Sequence, residues 1–145
     1  MTDDTPPSTG EWGALLGRPS RPVKGLTRGD VPERPGVYLW RFAGREQYVG
    51  KSRNLRSRLW GSHLSRGVVL AGSSLRRNVC DLLFGIPPAR TAKPVPEPVT
   101  HAQADAIAAW LRECELSWWE CDSIVEAGAL EDRLRRIWLP PLNRI

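Results

Sequence analysis

The stretch GVYLWRFAGREQYVGKSRNLRSRL, residues 36 to 59, limits the fold more than any other part of the chain. From Gly36 to Phe42, Val37 and Leu39 point to one face, and Tyr38, Trp40 and Phe42 to the other. Apolar residues on both faces place such a strand inside a sheet. Gln47 to Gly50 forms a second short strand, and Ala43-Gly44-Arg45 makes an antiparallel hairpin the natural link. The chain then passes into an arginine-rich helix from about Asn54 to Leu64, with Leu55 and Leu59 one turn apart and Ser52 or Asn54 as cap.

The remaining segments complete an α+β pattern. A helix is expected over Ser74–Phe84, where Leu75, Val79 and Leu82 share a face and Gly85 with Pro87-Pro88 stops it. Residues 86 to 99, IPPARTAKPVPEPV, read as a proline-rich connection, either a stiff surface loop or a proline-motif ligand. Thr100 with Gln103 is a capping box that opens a third helix, and Ile107, Trp110 and Leu111 are its apolar side. ELSWWECD is a third strand, and Ser123 with Glu126 caps a last helix ended by Pro140-Pro141. The order strand, strand, helix, helix, helix, strand, helix implies a small, mainly antiparallel three-stranded sheet flanked by helices. Residues 1–25 carry Pro6, Pro7, Pro19 and Pro22 and no sustained period, so an irregular N-terminal arm is expected there, with Trp12, Leu15 and Leu16 pinning part of it. Residues 26–145 form the expected domain.

A chain of 145 residues with 41% hydrophobic residues and seven tryptophans can build a real core. Its net charge of +5 and pI near 9.6 favour an acidic partner such as nucleic acid, an anionic membrane surface or a phosphorylated ligand. The start, MTDDTPPSTGEW, lacks the pattern of a secretory signal, and no apolar run reaches membrane-spanning length. Cys80, Cys114 and Cys121 form no CxxC pair, and the only histidines are His63 and His101. Buried structural thiols in a reduced, cytoplasmic setting fit better than a zinc site.

Three residues sit out of place. Glu131 lies within the stripe Ala127, Leu130, Leu134, Ile137 and Trp138 of the last helix. A carboxylate there needs a partner, an ion or access to a cleft, unless it is an edge residue whose head escapes to water. Arg58 borders the apolar side of the first helix, which suits a fixed anion such as phosphate or a structural salt bridge. Asn143 follows Pro140-Pro141-Leu142 with no local reason for its type.

In order, these residues resemble the GIY-YIG nuclease superfamily. The motifs appear as Gly36-Val37-Tyr38 and Tyr48-Val49-Gly50, each with valine for isoleucine. Arg58 follows the second motif's glycine by eight residues, and Glu131, Pro140 and Asn143 match the family's later spacing, with twelve residues from glutamate to asparagine. The resemblance runs from about Pro35 to Asn143. Some members place a histidine four residues after the arginine. Here Ser62 has that spacing and His63 follows it, so His63 is read only as a nucleic-acid contact.

The resemblance implies a divalent-metal endonuclease that hydrolyses phosphodiester bonds, usually in DNA, with RNA left open. Glu131 would hold Mg2+ or Mn2+, and Arg58 would contact the scissile phosphate. Tyr48 would be the base for water. A free tyrosine has a pKa of about 10, so Lys51 would assist by lowering that pKa or orienting the water. Tyr38 would hydrogen-bond within the cluster, and Asn143 would orient neighbouring groups or the phosphate. Taken alone, both tyrosines read equally as core aromatics. Arg53, Arg56, Arg66, Arg76 and Arg77 are expected along the DNA path, with Trp60 stacking on a base or joining the core. With Asn143 two residues before the last, no C-terminal recognition domain is expected. That leaves structure-directed cleavage, modest sequence preference, or targeting by a dimer or partner, in repair, restriction or mobile-element biology. A catalytically silent nucleic-acid-binding module of the same fold is the alternative, and a protein-interaction domain using the proline-rich loop is a third reading.

Overall fold

The computed structural model describes residues 4–145. The hairpin expected from the alternating runs is the middle of the molecule. Its strands are β2 (Gly36–Phe42) and β3 (Arg45–Ser52), and the later strand is β4 (Glu115–Glu120). β2 pairs antiparallel with both β3 and β4, which explains why neither of its faces is polar. A fourth strand, β1 (Arg21–Pro22), pairs with the far edge of β4 and completes the order β1-β4-β2-β3. Two residues are too few to show a period, so the sequence reads as three strands and the sheet has four.

Each face carries its own core. Tyr38, Trp40 and Tyr48 pack with Leu55 and Leu59, with Leu75 and Val79 of α2 (Ser74–Phe84), and with Ile107 and Leu111 of α4 (His101–Arg112). Val37, Leu39 and Val49 pack on the opposite face against Ala127, Leu130 and Leu134 of α5 (Ile124–Ile137). The alternation read from residues 37 to 42 is thus a division between two cores. A short α3 (Pro88–Thr91) interrupts the proline-rich connection. Thr100 and Gln103 form the expected capping box. At α5 the Ser123 hydroxyl accepts from the Glu126 N–H, but the Glu126 carboxylate accepts from the Asp122 N–H, one residue before the cap. Ile137 leaves the expected stripe and stands 61% exposed. Cys80, Cys114 and Cys121 are buried free thiols, and burial pushes Cys114 up to about 12. Among the described residues no helix is long and apolar enough to cross a membrane.

The segment before the hairpin is more ordered than its prolines suggest; residues 1–3 of the expected arm lie outside the described residues. It forms α1 (Gly10–Leu16), in which Trp12 and Leu15 are fully buried against the α5 face. The Trp12 indole N–H donates to the Leu134 carbonyl at 2.8 Å, and Trp138 meets its ring edge-on at 5.4 Å. A seven-residue helix is too short to hold itself in water, so long-range contacts supply what local periodicity cannot. Asp4 extends this anchorage by accepting from the Trp138 indole at 2.9 Å and from Arg144 at 2.6 and 2.9 Å. Replacing Trp12 with alanine is expected to cost about 3–5 kcal/mol of stability by urea denaturation. A loss under about 1 kcal/mol would show that α1 merely rests on the domain.

Candidate active site

The site straddles β3, the edge strand of the hairpin. Tyr38 on β2 stands directly opposite Gly50 on β3, and its ring fills the space a side chain at residue 50 would need. A methyl group there would collide with the Tyr38 hydroxyl and ring, so glycine in YVG is a packing requirement. Tyr48, on the same face, stacks with Tyr38 at 6.4 Å between centroids.

The outer edge of β3 is closed by Asn143. Its carbonyl oxygen accepts from the Val49 N–H at 2.8 Å, and its amide donates to the Val49 carbonyl at 2.9 Å. The side chain thereby imitates a neighbouring strand, satisfying two edge groups beside Tyr48. Asn78 of α2 donates to the Leu142 carbonyl at 2.8 Å and steadies the turn that carries Asn143. This long-range use answers why an asparagine follows the prolines.

The segment expected as an ordinary helix over residues 54–64 is wound as a π-helix over Ser57–His63. The Leu64 N–H reaches back five residues to the Leu59 carbonyl at 2.9 Å. With i→i+5 bonding, the residue one turn beyond Arg58 is 63 rather than 62. His63 is therefore turned inward and fully buried, which corrects its expected place on the DNA path. Its Nε2 lies 2.6 Å from the Tyr38 hydroxyl and its Nδ1 2.6 Å from the Ser73 hydroxyl. Burial, with Arg58 and Arg76 nearby, drives its pKa well below the ordinary value, so His63 is neutral. Burial also raises the Tyr38 pKa, keeping its phenol protonated.

Three consecutive residues before and at the start of α2 hold this face of the site. The Gly72 carbonyl accepts from Arg58 Nη1 at 3.0 Å, Ser73 meets His63, and the Ser74 hydroxyl lies 2.6 Å from the Tyr48 hydroxyl. Sequence reading passed over Ser73 and Ser74 because a serine pair at a helix start already has a role as a cap. Only the tertiary fold reveals their second partners.

On the other face, Glu131 projects from α5 toward the β3 edge. Its side chain is 10% exposed, and its charged partner is Arg135 at 3.8 Å. Desolvation raises its pKa, opposed by the charges of Arg135 and Lys51. Lys51 crosses α5 at Gly128, where an added methyl would come within 3.2 Å of its Nζ. Among the described residues no three His, Cys, Asp or Glu side chains cluster. The donor set is thus one poorly compensated carboxylate with hard oxygen atoms. It fits a divalent cation such as Mg2+ or Mn2+ that draws its other ligands from water and phosphate.

The outer basic residues divide. Arg53 and Arg66 are exposed. Arg56 instead bonds the Val31 carbonyl at 2.8 Å and Glu33 at 2.7 Å. Arg76 is 2% exposed and donates to the Gly67 carbonyl at 2.5 Å. Arg77 donates to the Ala71 carbonyl at 2.6 Å. These three brace loops: Arg76 is buried and Arg56 and Arg77 are half-buried, and each gives guanidinium donors to nearby carbonyls or a carboxylate. Trp60 is half-buried against the core and lines a cleft of about 490 Å³ with Val23, Lys24, Leu26, Leu64 and Arg112.

Because the folded protein raises the Glu131 pKa, it binds that proton more tightly than the unfolded chain. Metal-free stability should therefore fall as pH rises above the ordinary glutamate value of 4.5 through the raised one. Thermal unfolding of the wild type and Glu131→Gln across that range checks this. An identical slope in both would remove Glu131 as its source.

A family model described as the GIY-YIG catalytic domain matches residues 47–144. UvrABC system protein C from two strains of Bifidobacterium longum, DJO10A and NCC 2705, is 61% identical over 31 residues, which is 21% of this chain and 4% of theirs. The match therefore spans a small fraction of those relatives. The N-terminal endonuclease domain of UvrC from Thermotoga maritima, bound to magnesium, is 23% identical with a TM-score of 0.41, over 78% of this chain and 86% of that one. An asparagine-to-alanine variant of that domain gives 20% and 0.41, over 77% and 84%. As the family model covers more than half of the chain, the protein belongs to the GIY-YIG catalytic domain family.

Proposed function

We propose that this protein is a metal-dependent endonuclease that hydrolyses phosphodiester bonds in DNA. The observation that carries the reading is the buried Glu131 carboxylate, whose charged partner is Arg135 no closer than 3.8 Å. Glu131 is the residue that would hold Mg2+ or Mn2+. When bound, the ion supplies Lewis-acid polarisation of the phosphate and the leaving oxygen.

The chain's own residues account for the other requirements. Arg58 spends one donor on the Gly72 carbonyl, which fixes the guanidinium and leaves its remaining donors for the scissile phosphate. Tyr38, kept protonated by burial, serves as a hydrogen-bond donor rather than a base. Tyr48 takes the base role: once its phenol has given up its own proton, the phenolate oxygen, 2.6 Å from the Ser74 hydroxyl, receives the proton of the attacking water and becomes the phenol again. Lys51 orients that water and balances Glu131. Asn143 acts at one remove, by fixing the β3 backbone. Arg53 and Arg66 position the phosphate backbone without reading sequence. The domain comprises residues 26–145 with the preceding arm packed onto it, and a dimer or partner supplies targeting. Of repair, restriction and mobile-element roles, the short identity with UvrABC system protein C supports repair. The buried free thiols accord with a cytoplasmic setting.

Supercoiled-plasmid nicking with Mg2+ tests the reading. Glu131→Gln is expected to abolish nicking while circular dichroism stays native, and full activity in that variant would end the metal assignment. Tyr48→Phe should lower the single-turnover rate by about a hundredfold or more while DNA affinity changes little. An unchanged rate would take Tyr48 out of the base role.

A further inference from the structure

We infer that the cavity beside the start of α2 is a phosphate subsite, where Arg76, Ser62 and Ser65 take a non-scissile phosphate of the DNA strand whose scissile phosphate meets Arg58. That the phosphate belongs to DNA rests on the function proposed above; that the cavity takes a phosphate-like anion does not.

The cavity holds about 200 Å³ and is lined by Ser62 and Ser65, from the π-helix and the turn after it, and by Val69, Gly72, Ser73 and Arg76. A water molecule takes roughly 30 Å³ in the liquid, so a tetrahedral oxyanion has room. Gly72 is exposed and Ser62 and Ser65 are half-buried, so the cavity opens at the surface. Arg76 is the buried charge in its wall, 2% exposed. Its Nη2 donates to the Gly67 carbonyl, but its Nε, sealed from water, has no acceptor among the described residues. Among those residues Arg76 also takes part in no ion pair. No Asp or Glu lies between Glu46 and Asp81, a stretch with six arginines and one lysine. A guanidinium has five N–H donors and does not shed its charge. Bracing Gly67 takes one donor, which a neutral side chain could give. Burying the full charge without a carboxylate is costly unless an anion completes the set.

The surroundings favour the same sign of ligand. α2 has eleven residues and opens at Ser73, so the positive end of its dipole adds to the Arg76 charge. Ser65 Oγ accepts from the Gly67 N–H at 3.2 Å and keeps its own hydrogen to give. Ser65 and Arg76 thereby fasten the two ends of Gly67, which sets the wall before a ligand arrives. Gly72 ties the cavity to the candidate active site, because it lines the one and its carbonyl accepts from Arg58 Nη1 at 3.0 Å in the other. The two anion sites share that residue, as neighbouring phosphates of one strand require.

Binding in metal-free buffer tests the site without requiring cleavage. Inorganic phosphate added to isotope-labelled protein is expected to shift the Gly72 and Ser73 amide signals saturably in wild type. Ser62→Asp, which puts a carboxylate in the half-buried wall, is expected to abolish that response. Arg76→Met, which keeps the stem without the charge, should do the same; if it fails to fold by circular dichroism, Ser62→Asp carries the test. A DNA duplex with one phosphate at a time replaced by a neutral methylphosphonate then locates the contact. One replacement is expected to weaken wild-type binding roughly tenfold and to leave Ser62→Asp unaffected. A different replacement should be the one to which Arg58→Ala is indifferent. No saturable response of the wild type to phosphate would overturn the anion site. Saturation by phosphate with no methylphosphonate position that separates wild type from Ser62→Asp would make it a site for an adventitious ion only. A single position to which both Arg58→Ala and Ser62→Asp are indifferent would merge the two contacts and overturn a separate subsite. A wild type that shows the expected methylphosphonate pattern yet nicks no plasmid with Mg2+ would end the nuclease reading and leave the subsite standing.

Discussion

Tyr48, Gly50 and Lys51 take their positions from one short strand, and that strand would be free along one side without Asn143. An edge strand presents unpaired N–H and carbonyl groups and can shift register or recruit another chain. Here the asparagine gives both of its functional atoms to Val49, between the tyrosine and the glycine of the second motif. The clamp works only because Pro140-Pro141 turns the chain back toward the sheet after α5. The backbone that carries the candidate base is thus held from β2 on one side and from the opposite end of the chain on the other.

Within this frame, burial separates the roles of similar groups. Tyr38 and Tyr48 are chemically alike and stacked, yet Tyr38 is sealed by His63 and the missing side chain of Gly50, whereas Tyr48 touches Ser74 near the surface. Arg58 reaches the Gly72 carbonyl just before α2 and Arg76 sits in the first turn of α2, yet Arg76 is buried and spends its Nη2 on the Gly67 carbonyl. Residue type alone does not distinguish the members of either pair; their environments do. Glu131 follows the same logic, since dehydration without a close partner leaves a carboxylate with an unmet demand for positive charge.

Much of the scaffold was legible because its signals are local. Alternation exposed the hairpin and its two-sided burial, and the box of Thr100 and Gln103 marked its helix. Glu131 stood out because a charge in an apolar stripe violates burial statistics. What escaped depends on partners far along the chain. Trp12 looks like any aromatic beside prolines until Leu134 accepts its N–H. Arg56, Arg76 and Arg77 look like solvent-facing cations until carbonyls of neighbouring loops claim them. The π-helix left no composition signal. Its one extra residue per turn is what carries His63 inside, so counting by the ordinary helical repeat sends that residue to the wrong place.

The contact of Asp4 with Arg144 and Trp138 joins residues 140 apart in sequence, and Arg144 is the neighbour of Asn143. Arg144 pulls the Asp4 pKa down to about 2, but both partners face solvent, where ionic strength weakens such pairs. Salt therefore reaches the β3 edge by a route separate from any nucleic acid. It loosens the fastening next to the asparagine while it also screens contacts between Lys or Arg and phosphate. For the nuclease proposed above, a salt titration of DNA affinity would sum the two effects, and its slope would overstate the number of phosphates touched.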